Sequence, residues 1–193
     1  RRPSLIWSDG AWEPDQEHPG MVGFLVATPK PEFESKPLPT DASRAVLSEY
    51  DFCHSSAEVP AELVEALVCR NQQIGQIEIL GALVPYLSVP QTLAGREVIH
   101  WIDNTSALSA LTKGYSGIPD SARLVHLFHA WNAGARARTW FEYVPTDANP
   151  ADKPSRQNLA GCVWRVVPGV KSTPVDLQFP QIDKWADAAG WAR

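Results

Sequence analysis

Apolar residues alternate with polar ones, or run almost unbroken, in five short stretches of the chain. Between some of these stretches they recur every three or four positions. Residues 4–9 read as a strand with Leu5, Trp7 and Asp9 on one face, and residues 20–28 as a second strand. Asp9-Gly10, Pro14 and Pro19 lie between them, so a hairpin is the economical connection. A third strand falls within 46–57, and a short helix opening at Pro60 covers 60–70. Ile74, Ile77, Gly81 and Val84 predict an amphipathic helix over 73–84, kinked or stopped by Pro85. Residues 97–103 are nearly continuous in apolar residues, as a central strand is. Helices are expected from Thr105 to about Lys113 and over about 119–133, the second ending at Gly134. Residues 138–144 complete the strands, and Asn149-Pro150 opens a last helix with Asn as its cap.

The order is β-β-β-α-β-α-α-β-α. It implies an α/β fold with a five-stranded mixed sheet, strands 1–3 antiparallel and strands 4–5 parallel, and helices on both faces. Residues 29–43 hold four prolines and several charges, and read as a solvated insert. Residues 162–193 lack a clear period and read as a C-terminal extension or linker, which leaves 1–161 as the main domain.

Composition narrows the class. The chain has 193 residues, 44% of them hydrophobic, enough for a full core. No apolar run approaches the ~20 residues of a membrane span, and no apolar stretch follows Arg1-Arg2-Pro3 as a signal peptide requires. The missing initiator Met suggests a segment of a longer polypeptide. Three cysteines, Cys53, Cys69 and Cys162, are an odd and scattered set, which disfavours a disulfide framework or a cysteine metal site. A reducing, intracellular compartment is expected, with cytoplasm and nucleus left open.

Four acids carry the chemistry. Asp9 and Asp103 end strands, Glu78 interrupts the apolar stripe of the first long helix, and Asp152 lies in the first turn of the last helix. Each has a bland reading: a hairpin turn for Asp9, a helix cap for Asp103, a dipole partner for Asp152. Glu78 is the hardest to dismiss, because an unpaired carboxylate in an apolar stripe is costly. Positions 74, 75, 81 and 82 are Ile, Gly, Gly and Ala and give it no cation. If the first and fourth strands are neighbours, the four acids converge. An oxygen-only cluster of this kind suits Mg²⁺ or Mn²⁺. The formal charge of −5 then says little against a nucleic-acid substrate, since without these four acids 17 basic residues face 18 acidic ones.

Four segments together resemble the ribonuclease H domains of retroelement reverse transcriptases. They are Trp7-Ser8-Asp9-Gly10-Ala11, residues 75–80 around Glu78, Trp101-Ile102-Asp103-Asn104-Thr105-Ser106-Ala107-Leu108, and residues 143–156 with their N-x-A-D-x-x-S-R ending. They span residues 4–156, about four-fifths of the chain. The resemblance implies the ribonuclease H-like fold and an active site of Asp9, Glu78, Asp103 and Asp152. It also implies two Mg²⁺ ions, for which Mn²⁺ substitutes, hydrolysis of the RNA strand of an RNA–DNA hybrid, and a covalently linked reverse transcriptase domain. Many relatives carry a histidine in the loop before the last helix. Here that loop is Thr146-Asp147-Ala148, and no histidine follows His129.

Among other residues, Asn104 is a candidate for a ribose 2′-hydroxyl or a plain helix cap. Lys153, Arg156, Lys113 and Arg123 are candidates for phosphates or ordinary surface charges. Trp12, near the hairpin turn, is a candidate for stacking on a substrate strand. Trp7, Trp101 and Trp140 are expected in the core, and His126 and His129 on an ordinary helix surface rather than in a zinc site. Competing readings are a catalytically inactive scaffold of the same fold, or another nuclease built on it. Integrases and transposases tend to place Glu last, proofreading exonucleases need an Asp-x-Glu on the first strand, and junction resolvases hold their last two acids close together. Sugar-kinase and actin-like relatives need Gly-rich phosphate loops that are not found here.

Overall fold

The structure, a computed structural model, describes residues 1–17, 19–38, 44–69, 72–152, 155 and 171–181. Its strands are β1 (Ser4–Trp12), β2 (Gly20–Pro29), β3 (Tyr50–Glu58), β4 (Glu97–Ile102), β5 (Arg138–Tyr143) and β6 (Ser172–Pro174). They form one sheet in the order β5-β4-β1-β2-β3-β6. The β1–β2–β3 meander is antiparallel, and β4 and β5 join it in parallel on the β1 side. The helices are α1 (Arg44–Leu47), α2 (Ala61–Glu65), α3 (Ile74–Ser88), α4 (Pro90–Leu93), α5 (Thr105–Lys113) and α6 (Pro119–Gly134). Among the described residues, no helix is long and apolar enough to cross a membrane.

The main core lies where α3, α5 and α6 cover one face of the sheet. Ile6, Val22, Phe24 and Val26 meet Ile77, Leu80, Leu83, Leu111, Leu124 and Phe128 there. α3 is buried on every side from Gln76 to Tyr86, so the expected amphipathic helix is a central one instead. A helix enclosed by a sheet and two other helices has no solvent face left to mark with polar residues. Nor does Pro85 stop it: the helix runs on to Ser88, whose hydroxyl donates to the Val84 carbonyl at 2.7 Å.

Asp9-Gly10 is not the hairpin turn. β1 continues to Trp12, Gly10 pairs with Val22, and the turn closes where Glu13 N–H donates to the Pro19 carbonyl at 2.7 Å. Gly10 serves close packing instead. A Cβ there would sit 2.6 Å from the Ile77 carbonyl oxygen, and one on Gly81 would sit 2.7 Å from that of Asp9. Two facing glycines thus seat α3 directly on the β1 backbone. We expect Gly10→Ala to push the helix off the strand and destabilise the fold by about 3 kcal/mol, read as a lower midpoint in chemical denaturation. Unchanged stability would show that the contact is not tight.

The sheet has six strands, not five. β6 adds in parallel to the edge of β3, where the Ser55 hydroxyl donates to the Val175 carbonyl at 2.7 Å and Val175 N–H donates to that of His54 at 3.0 Å. Three residues of irregular composition carry no periodicity, so only the pairing reveals this strand. The described part of the Pro-rich insert is also more ordered than expected. Arg2, buried among Phe33, Tyr50 and the insert, forms an ion pair with Glu49 and donates to the carbonyls of Lys36 and Pro37. Residues 39–43 lie outside the described part.

On the other sheet face Trp7 and Trp101 stack, with ring centroids 4.9 Å apart. Trp140, expected in the core, is 69% exposed, because β5 is the edge strand and Trp140 points away from the helical layer. Gly134 is the last residue of α6 rather than its left-handed stop. Arg136 takes the positive φ of 53°.

Beneath α3, a buried polar chain crosses the core. The two ring nitrogens of His100 contact the Ser8 hydroxyl at 2.8 Å and the Tyr86 hydroxyl at 3.0 Å. Burial holds the His100 imidazole neutral, its pKa pushed down to about 3. The unfolded chain takes up this proton near pH 6.5 and the folded one only near 3, so stability is full above 6.5 and falls as the pH drops through that window. The slope is at most ~1.4 kcal/mol per pH unit. The His100 ring resonances in NMR are expected to stay at their neutral positions down to pH 5; titration near 6.5 would contradict the buried network.

Candidate active site

The parallel pairing of β1 with β4 aligns Trp7 with Trp101. Two residues further along each chain, Asp9 and Asp103 are therefore level. Asp9 stands inside β1, 2% exposed, and not at the strand end as the sequence suggested. Asp103 follows the last residue of β4. Asp152 arrives from the segment after β5. One carboxylate oxygen from each of Asp9, Asp103 and Asp152 lies within 4.8 Å of the others.

Glu78 is not part of that closest group. It adjoins it from the middle of α3, 7% exposed, accepting from the Gly10 N–H at 3.3 Å. The glycine contact between α3 and β1 is what brings the helix near enough for this bond. Asn104 caps α5: its Oδ1 accepts from the N–H groups of Ser106 and Ala107 at 3.1 and 3.0 Å. The capping reading thus describes Asn104.

Burial and mutual repulsion dominate the electrostatics. Burial raises Asp9 to about 7, against an opposing hydrogen bond from the Ser155 hydroxyl and with help from the charges of Asp103 and Asp152. Burial, then the charges of Asp9 and Asp103, raises Glu78 to about 9. Asp103 Oδ1 is buried with no hydrogen-bond partner. Converging carboxylates, one with an orphaned oxygen, form a donor set that fits a hard divalent cation.

Two residues to which the sequence gave no working role complete the geometry. Asn149, 5% exposed, donates from its amide to the Ser8 carbonyl at 3.0 Å. Ser155, fully buried, donates to Asp9 Oδ2 and lies 2.8 Å from the Asp152 carbonyl. The spacing of three between Asn149, Asp152 and Ser155 was a signal for a shared side of a helical segment. Of the other candidates, Trp12 is half-buried against the core with its indole N–H buried and unpartnered. Lys113 and Arg123 are exposed. Lys153 and Arg156 lie outside the described residues, as does most of the expected last helix. His126 is exposed, and His129 contacts the Leu111 carbonyl at 2.9 Å, as expected of ordinary helix residues.

The architecture is the mixed α/β sheet that the sequence led us to expect, with an antiparallel β1–β2–β3 meander, β4 and β5 parallel beside β1, and carboxylates gathered at β1 and β4. No protein-family model matches the chain, and no curated protein matches it. Solved structures similar to it include the following three. Ribonuclease H1 from the halophilic archaeon Halobacterium salinarum NRC-1 has 15% identity and a TM-score of 0.48, over 84% of this chain and 100% of that one. The N-terminal RNase H domain of Rv2228c from Mycobacterium tuberculosis, solved as a fusion with maltose-binding protein, has 16% identity and a TM-score of 0.46, over 80% and 91%. The prototype foamy virus protease-reverse transcriptase has 13% identity and a TM-score of 0.47, over 83% of this chain and 21% of that one.

Proposed function

We propose that this chain is a metal-dependent endonuclease that hydrolyses the RNA strand of RNA–DNA hybrids, as the ribonuclease H domain of a reverse transcriptase polyprotein. The observation that carries the reading is the meeting of Asp9, Asp103 and Asp152 within 4.8 Å, with one buried Asp103 oxygen unpartnered. Glu78 stands beside them on a helix seated directly on β1.

In this reading Asp9, Asp103 and Asp152 hold two Mg²⁺ ions, with Glu78 as the fourth carboxylate; Mn²⁺ replaces Mg²⁺. When bound, such a pair activates water and stabilises the leaving 3′ oxygen of a phosphodiester. The chain's own residues do the rest. The β1–β4 register keeps Asp9 and Asp103 level, and α3 and α5 keep Glu78 and Asn104 in place. Asn104 is the candidate to read a 2′-hydroxyl, which distinguishes RNA from DNA. Lys153 and Arg156 are assigned to backbone phosphates and Trp12 to a substrate base. The linked polymerase rests on the N-x-A-D-x-x-S-R resemblance at residues 149–156.

Incubation of the chain with end-labelled RNA–DNA hybrid tests the proposal, in Mg²⁺, in Mn²⁺ and in chelator, with double-stranded RNA and DNA alongside. The expected result is metal-dependent cutting confined to the RNA of the hybrid. Cutting in chelator, or of DNA duplex alone, would contradict it.

A further inference from the structure

The turn that carries Asp152 is tied to β1 at two successive residues. Asn149 works in two directions. Its Oδ1 accepts from the Ala151 N–H at 3.1 Å, starting the turn, and its amide donates to the Ser8 carbonyl at 3.0 Å, tying that start to β1. Ser155 lies one helical bond further on, its N–H donating to the Ala151 carbonyl at 3.3 Å. Its single hydroxyl proton has two acceptors in reach, the Asp152 carbonyl and Asp9 Oδ2. A serine in a helical turn commonly bonds back to its own helix. Asp9 Oδ2 is the nearer of the two acceptors, so the proton is directed to Asp9. Asp152 lies between the two ties.

We propose that Asn149 and Ser155 are positioning residues that assemble the cation site: Asn149 sets the height of the Asp152 turn on β1, and Ser155 restrains the carboxylate of Asp9. The inference rests on the proposed function, since it assigns these residues to that same site. Neither residue touches the substrate. Both act through the carboxylates, so their loss falls on metal affinity and on turnover rather than on grip of the hybrid. Residues that orient metal ligands typically contribute 10- to 100-fold in affinity or rate.

The test uses the full chain and two variants chosen to retain the fold. Ser155→Ala removes only the hydroxyl. Asn149→Ser keeps a cap acceptor for the Ala151 N–H but loses the amide donor to Ser8. Calorimetric titration with Mn²⁺ is expected to show affinity about 10-fold weaker in each variant. Hybrid cleavage at limiting Mn²⁺ is expected to fall in kcat with KM unchanged, and to recover as Mn²⁺ approaches saturation. Thermal melting of the metal-free proteins reports the fold separately. Wild-type Mn²⁺ affinity in both variants overturns the inference, as does a loss of rate that saturating Mn²⁺ does not restore. A wild-type chain that neither binds Mn²⁺ nor cuts the hybrid overturns the reading of the site itself, an outcome recognisable without either variant.

Discussion

Asp103→Asn is expected to fold like the wild type and to cut an RNA–DNA hybrid at about a thousandth of its rate or less. The change keeps the size and shape of the side chain but removes one negative charge from the three-carboxylate group. Its Oδ1 is an oxygen that the protein leaves without a hydrogen-bond partner. Asn also offers its amide to the neighbouring Asp9 carboxylate, which compensates the fold but not the cation. Loss of a ligand to a divalent ion that stabilises developing charge costs ~4 kcal/mol in the barrier, and each 1.4 kcal/mol is a factor of ten. Single-turnover cleavage at saturating enzyme measures it. A wild-type rate in Asp103→Asn would remove Asp103 from the metal set and with it the basis of the proposed function.

Glu78→Gln is expected to have opposite effects on two properties: activity falls, and the metal-free protein becomes more stable. Burial and the charges of Asp9 and Asp103 raise the Glu78 pKa from its ordinary value near 4.5 to about 9. A carboxylate raised in this way favours the folded state while it is protonated. Its contribution is full below pH 4.5 and is lost as the pH rises through 9. The slope is at most ~1.4 kcal/mol per pH unit. Gln cannot ionise, so in chelator its stability advantage over wild type should grow steadily between pH 5 and 9. Comparing the two proteins at each pH cancels the acid-side effect of His100, which both share. Saturating Mn²⁺ should then narrow the gap, because the cation supplies the counter-charge that the wild type lacks. Parallel denaturation curves at pH 5, 7 and 9, with and without Mn²⁺, provide the measurement. A gap that does not change with pH would mean that Glu78 is not held among like charges.

Much of this architecture was legible locally. α5 runs from Thr105 to Lys113, bounded by an Asn104 cap and by Gly114 in the left-handed conformation, φ 74°. Both are signals of the residue types themselves. β1, β2, β4 and β5 declared themselves by short apolar runs. Asp9, Glu78 and Asp103 were legible because each sits where an apolar pattern ends or is broken, and Asp152 because it follows the Asn149-Pro150 helix start. Their bland readings failed or held according to distant partners. Asp9-Gly10 has the composition of a turn, but Gly10 meets Ile77 of α3 and stays in the strand. Asn104 has the composition of a cap and is one.

Other features could not be read from one stretch of chain. Arg2 is a buried cation only because Glu49 and the insert close around it. β6 is a strand only because β3 offers a free edge. Trp140 is exposed although its tryptophan neighbours in the sheet, Trp7 and Trp101, cover each other. Ser155 became visible as a contact of Asp9 only when residues 146 positions apart met.

By itself the sequence determined the order of β1–β5 with the three long helices α3, α5 and α6, the mixed sheet, and the acids on which the proposed site rests. Periodicity, capping and the cost of a bare charge in an apolar stripe act within one or two turns of chain. The tertiary structure decided which acids meet: three in close contact, Glu78 beside them, with Asn149 and Ser155 tying their segment to β1. Those distances depend on strand register and on the close seating of α3 on β1, and both are set by packing between residues far apart in the chain.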